Sequence, residues 1–362
     1  MSESALDPRP AGLDHHRASS SPREPHARLL GRPDVPVLAT AFELVRDGLA
    51  VVESTLAEFL QSTIRVIPQL GGHLVFAGGK RLRPMITLLA ARAVGEREDE
   101  RSCLAHAHTV AAVGELLHTA TLLHDDVIDG GAFRRGRPAA HHEFGNGMTV
   151  LTGDYCLARA VQAIASTGEL AAIRSFADMV TRMAEGEVDQ LCVAGDCEVD
   201  EARYYLVIER KTAGLIAWCT SIAGLPSPAL SRALECFGRE LGFAFQISDD
   251  VLDYTGELAV AGKLAGQDLR EGKLTLPLLM AIEREPALRH EVRELLSQGP
   301  PVDEAALARV VTRVIALGGV ERATARAQHH VERALAHLMT LAPSPARDAL
   351  EHVSRRVAQR AR

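Results

Sequence analysis

Apolar residues recur at three- and four-residue spacing through most of the chain, and no run shows the strict alternation of a half-buried strand. From 37 to 70 the apolar positions Val45, Leu49, Val52, Leu56, Phe59, Leu60, Ile64 and Ile67 predict one amphipathic helix, with Pro68 and Gly71-Gly72 as its stop. Further helices are expected over 85–95 and 102–124. Residues 139–225 contain no proline, which leaves room for three long helices near 147–166, 169–194 and 201–223. Helical spacing continues over 229–252, a polar glycine-rich loop follows over 255–273, and the tail alternates helices with breaks at Pro286, Gly299-Pro300-Pro301, Gly318-Gly319 and Pro343. The expectation is a single all-α domain over 37–362, a large helical bundle around a central cavity. Residues 1–36 hold six of the 17 prolines and little periodic hydrophobicity, and are read as a disordered leader.

Composition sharpens this. Aromatics are only 4% of the chain, so the core must come from Leu, Ala, Val and Ile, which suits packed helices. The net charge of −7 speaks against a nucleic-acid binder. No apolar run is long enough to cross a membrane or to serve as a signal peptide. The six cysteines are scattered without a CxxC, as reduced thiols of a cytoplasmic protein would be.

The chemistry begins with a repeat. Leu122-Leu123-His124-Asp125-Asp126-Val127-Ile128-Asp129 and Gln246-Ile247-Ser248-Asp249-Asp250-Val251-Leu252-Asp253 each end an apolar helical pattern with Asp-Asp-x-x-Asp. Residues four apart share a helix face, so Asp125 projects with Asp129 and Asp249 with Asp253. Clustered carboxylates repel, and hard divalent cations shared with phosphate oxygens relieve that repulsion. One such motif is as readily a solvated acidic patch; two, each behind an apolar run, are not. Cations accompany them. Gly78-Gly79-Lys80-Arg81-Leu82-Arg83-Pro84 is a glycine-flexed basic turn at a helix start. Arg134, Arg135 and Arg137 follow the first motif, and Lys211, Lys263 and Lys273 come later. Opposite-sign sets around one cavity fit an anionic ligand that reaches the acids through metal, such as a diphosphate leaving group.

These residues resemble the trans-isoprenyl diphosphate synthases of the polyprenyl synthetase family, most of all the long-chain members that make quinone side chains. The resemblance spans about 37–360, with GGKRLRP, LLHDDVID, RRG, GEVDQL, ERKTAGL, FQISDDVLDY and GKLAGQDLREGKLTLP in the family's order. It implies the isoprenoid synthase type I fold, a homodimer, and condensation of isopentenyl diphosphate with an allylic diphosphate. By resemblance, Asp125, Asp126, Asp129, Asp249, Asp250 and Asp253 hold three Mg²⁺ on the allylic diphosphate, which Arg134, Lys211 and Lys263 also contact. Lys80, Arg83, His118 and Arg135 hold isopentenyl diphosphate, and Thr212 and Gln246 sit beside the reacting carbons. Lys273 joins the substrate-binding set, Asp268 is kept from the late loop, and Gln190, where short-chain members tend to carry Asp, is a polar lining residue.

Product length follows from helix geometry. The column one to four turns before Asp125 holds Ala120, Thr121, Leu117, Gly114 and Val110, with no aromatic to floor a pocket, so the expected product is longer than about C20. A short-chain farnesyl or geranylgeranyl synthase is the alternative within the family. From other classes, a regulatory synthase subunit would tend to lose one acidic motif. An HD-type phosphohydrolase built on His124-Asp125 with His106 and His108 would leave the second motif unexplained. Glu115-x-x-His118 is half of a di-iron site and lacks its other half.

Overall fold

The computed structural model describes residues 36–76, 81–95, 100–134, 137–222, 227–255, 265–299 and 301–359. The leader, but for Pro36, lies outside them, as do Lys80, Arg135 and Lys263. The helix expected over 37–70 is two. The first, α1, is Pro36–Phe59, and after a bend α2 is Val66–Val75. Pro68 falls in the first turn of α2, where its missing N–H has no partner to lose, so it opens a helix instead of closing one. Gly71 sits inside α2 because a Cβ there would lie 2.6 Å from the Leu60 side chain.

Next come α3 (Leu82–Gly95) and α4 (Glu100–Ile128). Val110, Ala111, Ala112, Val113, Leu116, Leu117, Ala120 and Leu123 are all buried, so α4 is apolar nearly all round and lies inside the bundle. It packs against α1, α3 and α6 (Asn146–Ser166). Between them runs a minimal hairpin, β1 (Phe133–Arg134) and β2 (Arg137–Pro138), and the short α5 (Ala140–Phe144). That hairpin departs from the all-helical expectation; two residues per strand are too few to show a period.

The proline-free stretch of the chain forms α6, α7 (Leu170–Val193), α8 (Glu201–Ile208) and α9 (Gly214–Ser221). The single helix expected over 201–223 is interrupted by a π-helical turn, Glu209–Ala213. Such turns widen a helix by one residue and re-aim its side chains. Gly186 on α7 and Gly242 on α10 (Pro228–Thr255) let both helices close on this turn. A Cβ would lie 2.6 Å from Arg210 Cβ at the first and 2.5 Å from Ala213 Cα at the second.

Helix α10 joins two apolar clusters. Leu234, Phe237, Leu241 and Ala244 belong to the one built on α1, α3 and α4. Ile247, Val251 and Tyr254 belong to the one built with α12 (Leu276–Arg284), α14 (Glu304–Ala316) and α15 (Gly319–Leu338). Three further helices, α11 (Gln267–Arg270), α13 (Leu288–Ser297) and α16 (Pro345–Gln359), complete the all-α bundle. Among the described residues no helix is long and apolar enough to cross a membrane.

Candidate active site

The two aspartate motifs end α4 and α10, and lysines stand between them. Lys211, on the π turn, places Nζ 3.8 Å from Asp125 Oδ1 and 2.7 Å from Glu187 Oε2 on α7. Lys273, beyond α11, lies 3.5 Å from Asp129 Oδ1 and 2.6 Å from Glu271 Oε2. Both lysines line a cavity of about 140 Å³ whose wall also includes Gln190, Tyr204, Thr212, Gln246, Asp250 and Asp268. Burial alone would draw the Lys273 ammonium down, but Glu271 and Asp129 outweigh it and its pKa is raised.

The six motif aspartates fall into two sets. Asp125 near the end of α4 and Asp129 just beyond it keep 15% and 25% of their side chains exposed on the lysine side, and Asp249 is partly exposed. The other three turn inward. Asp126 accepts Arg134 Nε at 2.7 Å. Asp250 accepts the Tyr204 hydroxyl at 2.6 Å and Gln246 Nε2 at 2.8 Å. Asp253 accepts the backbone N–H groups of Gln267 and Asp268, each at 3.0 Å, and so starts α11. Burial pushes Asp125 up to about 6, with Glu187 and Asp129 adding to it and Lys211 opposing. Burial pushes Asp250 up to about 7 against its two hydrogen bonds. Burial raises Asp253 and Asp268 as well. Raised, crowded carboxylates are sites that a cation would relieve.

Thr212 Oγ1 donates to Gln246 Oε1 at 2.8 Å, so the pair expected beside the reacting carbons is one hydrogen-bonded unit at the cavity wall. In the basic turn, Arg81 and Arg83 part company. Arg81 is buried at a positive φ of 47°, with its fork on Glu53, on Glu115 Oε1 at 2.9 Å and on the Val75 carbonyl at 2.7 Å. Arg83 Nε is buried with no hydrogen-bond partner. Glu115 is thereby committed to Arg81, which disposes of the half di-iron motif. His118 lies on α4 two turns before Asp125, half-buried.

His124 turns to α6, 3.2 Å from Asp154 and packed on Gly153, and does not join Asp125. His106 and His108 lie roughly 25 Å up α4 from it, so the HD reading has no site. Of the chain-length column, Ala120 and Leu117 are buried and Thr121 is half-buried. Gly114 is a packing contact: a Cβ there would lie 2.6 Å from Cys219 Sγ. None of the four lines the cavity between the motifs. Glu187, Glu271 and Tyr204 are site residues that sequence reasoning missed. Glu187 stands one helical turn before Gln190, which was the available signal; a tyrosine in an apolar run offers none.

Among the described residues no three His, Cys, Asp or Glu side chains converge to hold an ion unaided. Mg²⁺ takes one or two carboxylates and completes its shell with water and substrate phosphate. The hard oxygen donors on two facing motifs fit that ion.

The polyprenyl synthetase family model matches residues 65–314. Octaprenyl diphosphate synthase of Escherichia coli (strain K12) is 40% identical over 88% of this chain and 98% of its own length. All-trans-nonaprenyl-diphosphate synthase (geranyl-diphosphate specific) of Rhodobacter capsulatus is 36% identical over 86% of this chain and 94% of its own. The crystal structure of a polyprenyl synthase from Caulobacter crescentus CB15, complexed with calcium and isoprenyl diphosphate, superposes with a TM-score of 0.82 and 37% identity. That match covers 89% of this chain and 97% of that one.

Proposed function

The chain belongs to the polyprenyl synthetase family and is a prenyltransferase, and from that premise we propose how its residues divide the work. The substrates are isopentenyl diphosphate and an allylic diphosphate, and the product is a trans-polyprenyl diphosphate longer than about C20, as the long-chain relatives suggest. The observation that carries the reading is the pair of lysines, each on an aspartate of the first motif, in the wall of a cavity that Asp250 of the second motif also lines.

Mg²⁺, three ions by resemblance, would be held through Asp125, Asp129 and Asp249 and would supply neutralisation of charge on the departing diphosphate. Asp126, Asp250 and Asp253 fix the walls instead: the Arg134 fork, the Tyr204–Gln246–Thr212 chain and the start of α11. Lys211 and Lys273 exchange their carboxylate partners for diphosphate oxygens, and by resemblance Arg134 and Lys263 contact the same diphosphate. Lys80, Arg83, His118 and Arg135 hold the second diphosphate. The allylic C–O bond breaks with its electrons leaving on diphosphate, the isopentenyl double bond attacks, and a proton passes to the departing diphosphate. The Thr212–Gln246 dipoles steady the allylic cation, and the apolar walls keep water from it.

Labelled isopentenyl diphosphate, Mg²⁺ and farnesyl or geranylgeranyl diphosphate, resolved by chromatography, test this. Long-chain product is expected. Product ending at C15 or C20 selects the short-chain reading, and no product with either primer makes the chain a regulatory subunit. Ala120→Phe shortens the product if the growing chain descends along α4; unchanged length refutes that path.

Helices α6 and α7 carry the exposed apolar residues Met148, Leu151, Val188 and Leu191, the face proposed for the homodimer. Leu151→Glu with Val188→Glu yields monomers in sedimentation if that face is the interface. The free thiols of Cys156, Cys197 and Cys219, all buried, support a cytoplasmic, reducing setting.

A further inference from the structure

Behind the cavity wall lies a buried polar chain to which the reaction assigns no part. Glu240 on α10 and His330 on α15 are 6% and 5% exposed, in the interior of the bundle. Glu240 Oε2 stands 2.6 Å from His330 Nδ1, and His330 Nε2 stands 2.9 Å from the Tyr205 hydroxyl on α8. A carboxylate only accepts, so Nδ1 carries the proton; with the ring neutral, Nε2 accepts from Tyr205, and both nitrogens are used. Arg333 holds the other Glu240 oxygen at 2.7 Å. Phe243 packs edge-on to Tyr205 at 5.4 Å and tilted against His330 at 5.2 Å.

Tyr205 in turn meets Tyr204 edge to face, with centroids 5.6 Å apart at 77°. Tyr204 donates to Asp250, Gln246 donates to the other Asp250 oxygen, and Thr212 donates to Gln246. One continuous series of contacts therefore runs from α15 to the cavity. A buried Glu–His pair is weak support for stability, because its desolvation offsets its attraction and apolar side chains would pack as well. What directional bonds provide here is a single register for α8, which leads straight into the π turn carrying Lys211 and Thr212.

We propose that Glu240, His330 and Tyr205 form a positioning triad that clamps α8 against α10 and α15. The clamp holds the Tyr204 hydroxyl on Asp250, and with it the orientation of Gln246 and Thr212. None of the three lines the cavity, so they act through Tyr204 and not on substrate. The inference rests on the reading of Thr212 and Gln246 given above.

Tyr205→Phe removes the hydroxyl and keeps the ring. It lowers kcat about 10- to 100-fold through misplacement, with KM for isopentenyl diphosphate within about twofold, since Arg83 is on α3. His330→Gln and Glu240→Gln move kcat in the same direction. In a Tyr204→Phe background, Tyr205→Phe adds little further loss, because both act on one element. Unchanged kcat in Tyr205→Phe, or losses that multiply independently in the double variant, overturns the proposal. If the wild-type chain forms no condensed product, the functional reading fails separately. The same cycle measured by denaturant unfolding then decides the triad: coupled tyrosines uphold it and additive ones sink it.

Discussion

Asp125 and Asp129 leave the end of α4 on an accessible face opposite two lysines, whereas Asp250 and Asp253 leave α10 buried and hydrogen-bonded. The two segments have the same spacing and nearly the same apolar flanks. Their difference comes from neighbours. The first motif is followed by glycines and a hairpin, from which Arg134 returns to Asp126. The second is roofed by α8 on one side and by the Gln267–Arg270 turn on the other. Repetition of a motif thus repeats a helix face without repeating a role: one copy presents charge, and the other spends two of its three carboxylates on building the wall.

The largest expected effect tests that division. Asp125→Asn and Asp249→Asn lower kcat about 1000-fold, while Asp126→Asn and Asp250→Asn lower it about 10- to 100-fold, all measured with labelled isopentenyl diphosphate. Equal losses at the four positions would erase the distinction. Next, Tyr204→Phe leaves a buried Asp250 oxygen without its donor and costs about 1–3 kcal/mol by denaturant unfolding. Arg134→Gln leaves the buried Asp126 carboxylate without its cation and costs a similar amount.

Glycines extend the contrast to the two helices. Gly242→Ala drives a Cβ onto the Ala213 backbone beneath the second motif and costs about 1–3 kcal/mol, whereas Gly114→Ala on α4 meets only the Cys219 sulfur and costs about 1 kcal/mol. Equal costs would mean that both helices relax alike.

The smallest effect is in pH. Asp125 and Asp250 have folded pKa values above that of a free carboxyl, at about 6 and about 7. In chelator their contribution favours the fold at acid pH, complete below about pH 4, and is lost as pH rises through those values. The unfolding midpoint therefore drops a few degrees between about pH 5.5 and pH 8. Asp250→Asn flattens that drop more than Asp125→Asn does. The Mg²⁺ needed for half-maximal rate moves the opposite way, rising as pH falls below about 7.

The longer helices and their order were legible in the chain because each buries a stripe, and a stripe is a local pattern. The break between α1 and α2 was not, since Pro68 ends or starts a helix with equal ease and packing against Leu60 decided which. The π turn was hidden for a similar reason: it keeps the helical period nearly intact over five residues. Arg81 and Arg83 looked alike in GGKRLRP, and only Glu53 and Glu115, distant along the chain, make one an internal anchor.

By itself the sequence determined an all-α chain, its acidic and basic motifs, and membership in its family, because these depend on residue identity and spacing. Tertiary structure alone decided which aspartates face the lysines, which arginine turns inward, and that Tyr204 and Glu187 belong to the site. Those outcomes are set by burial and by partners tens of residues away, and the cost of leaving a buried charge or donor unmatched appears in no local pattern.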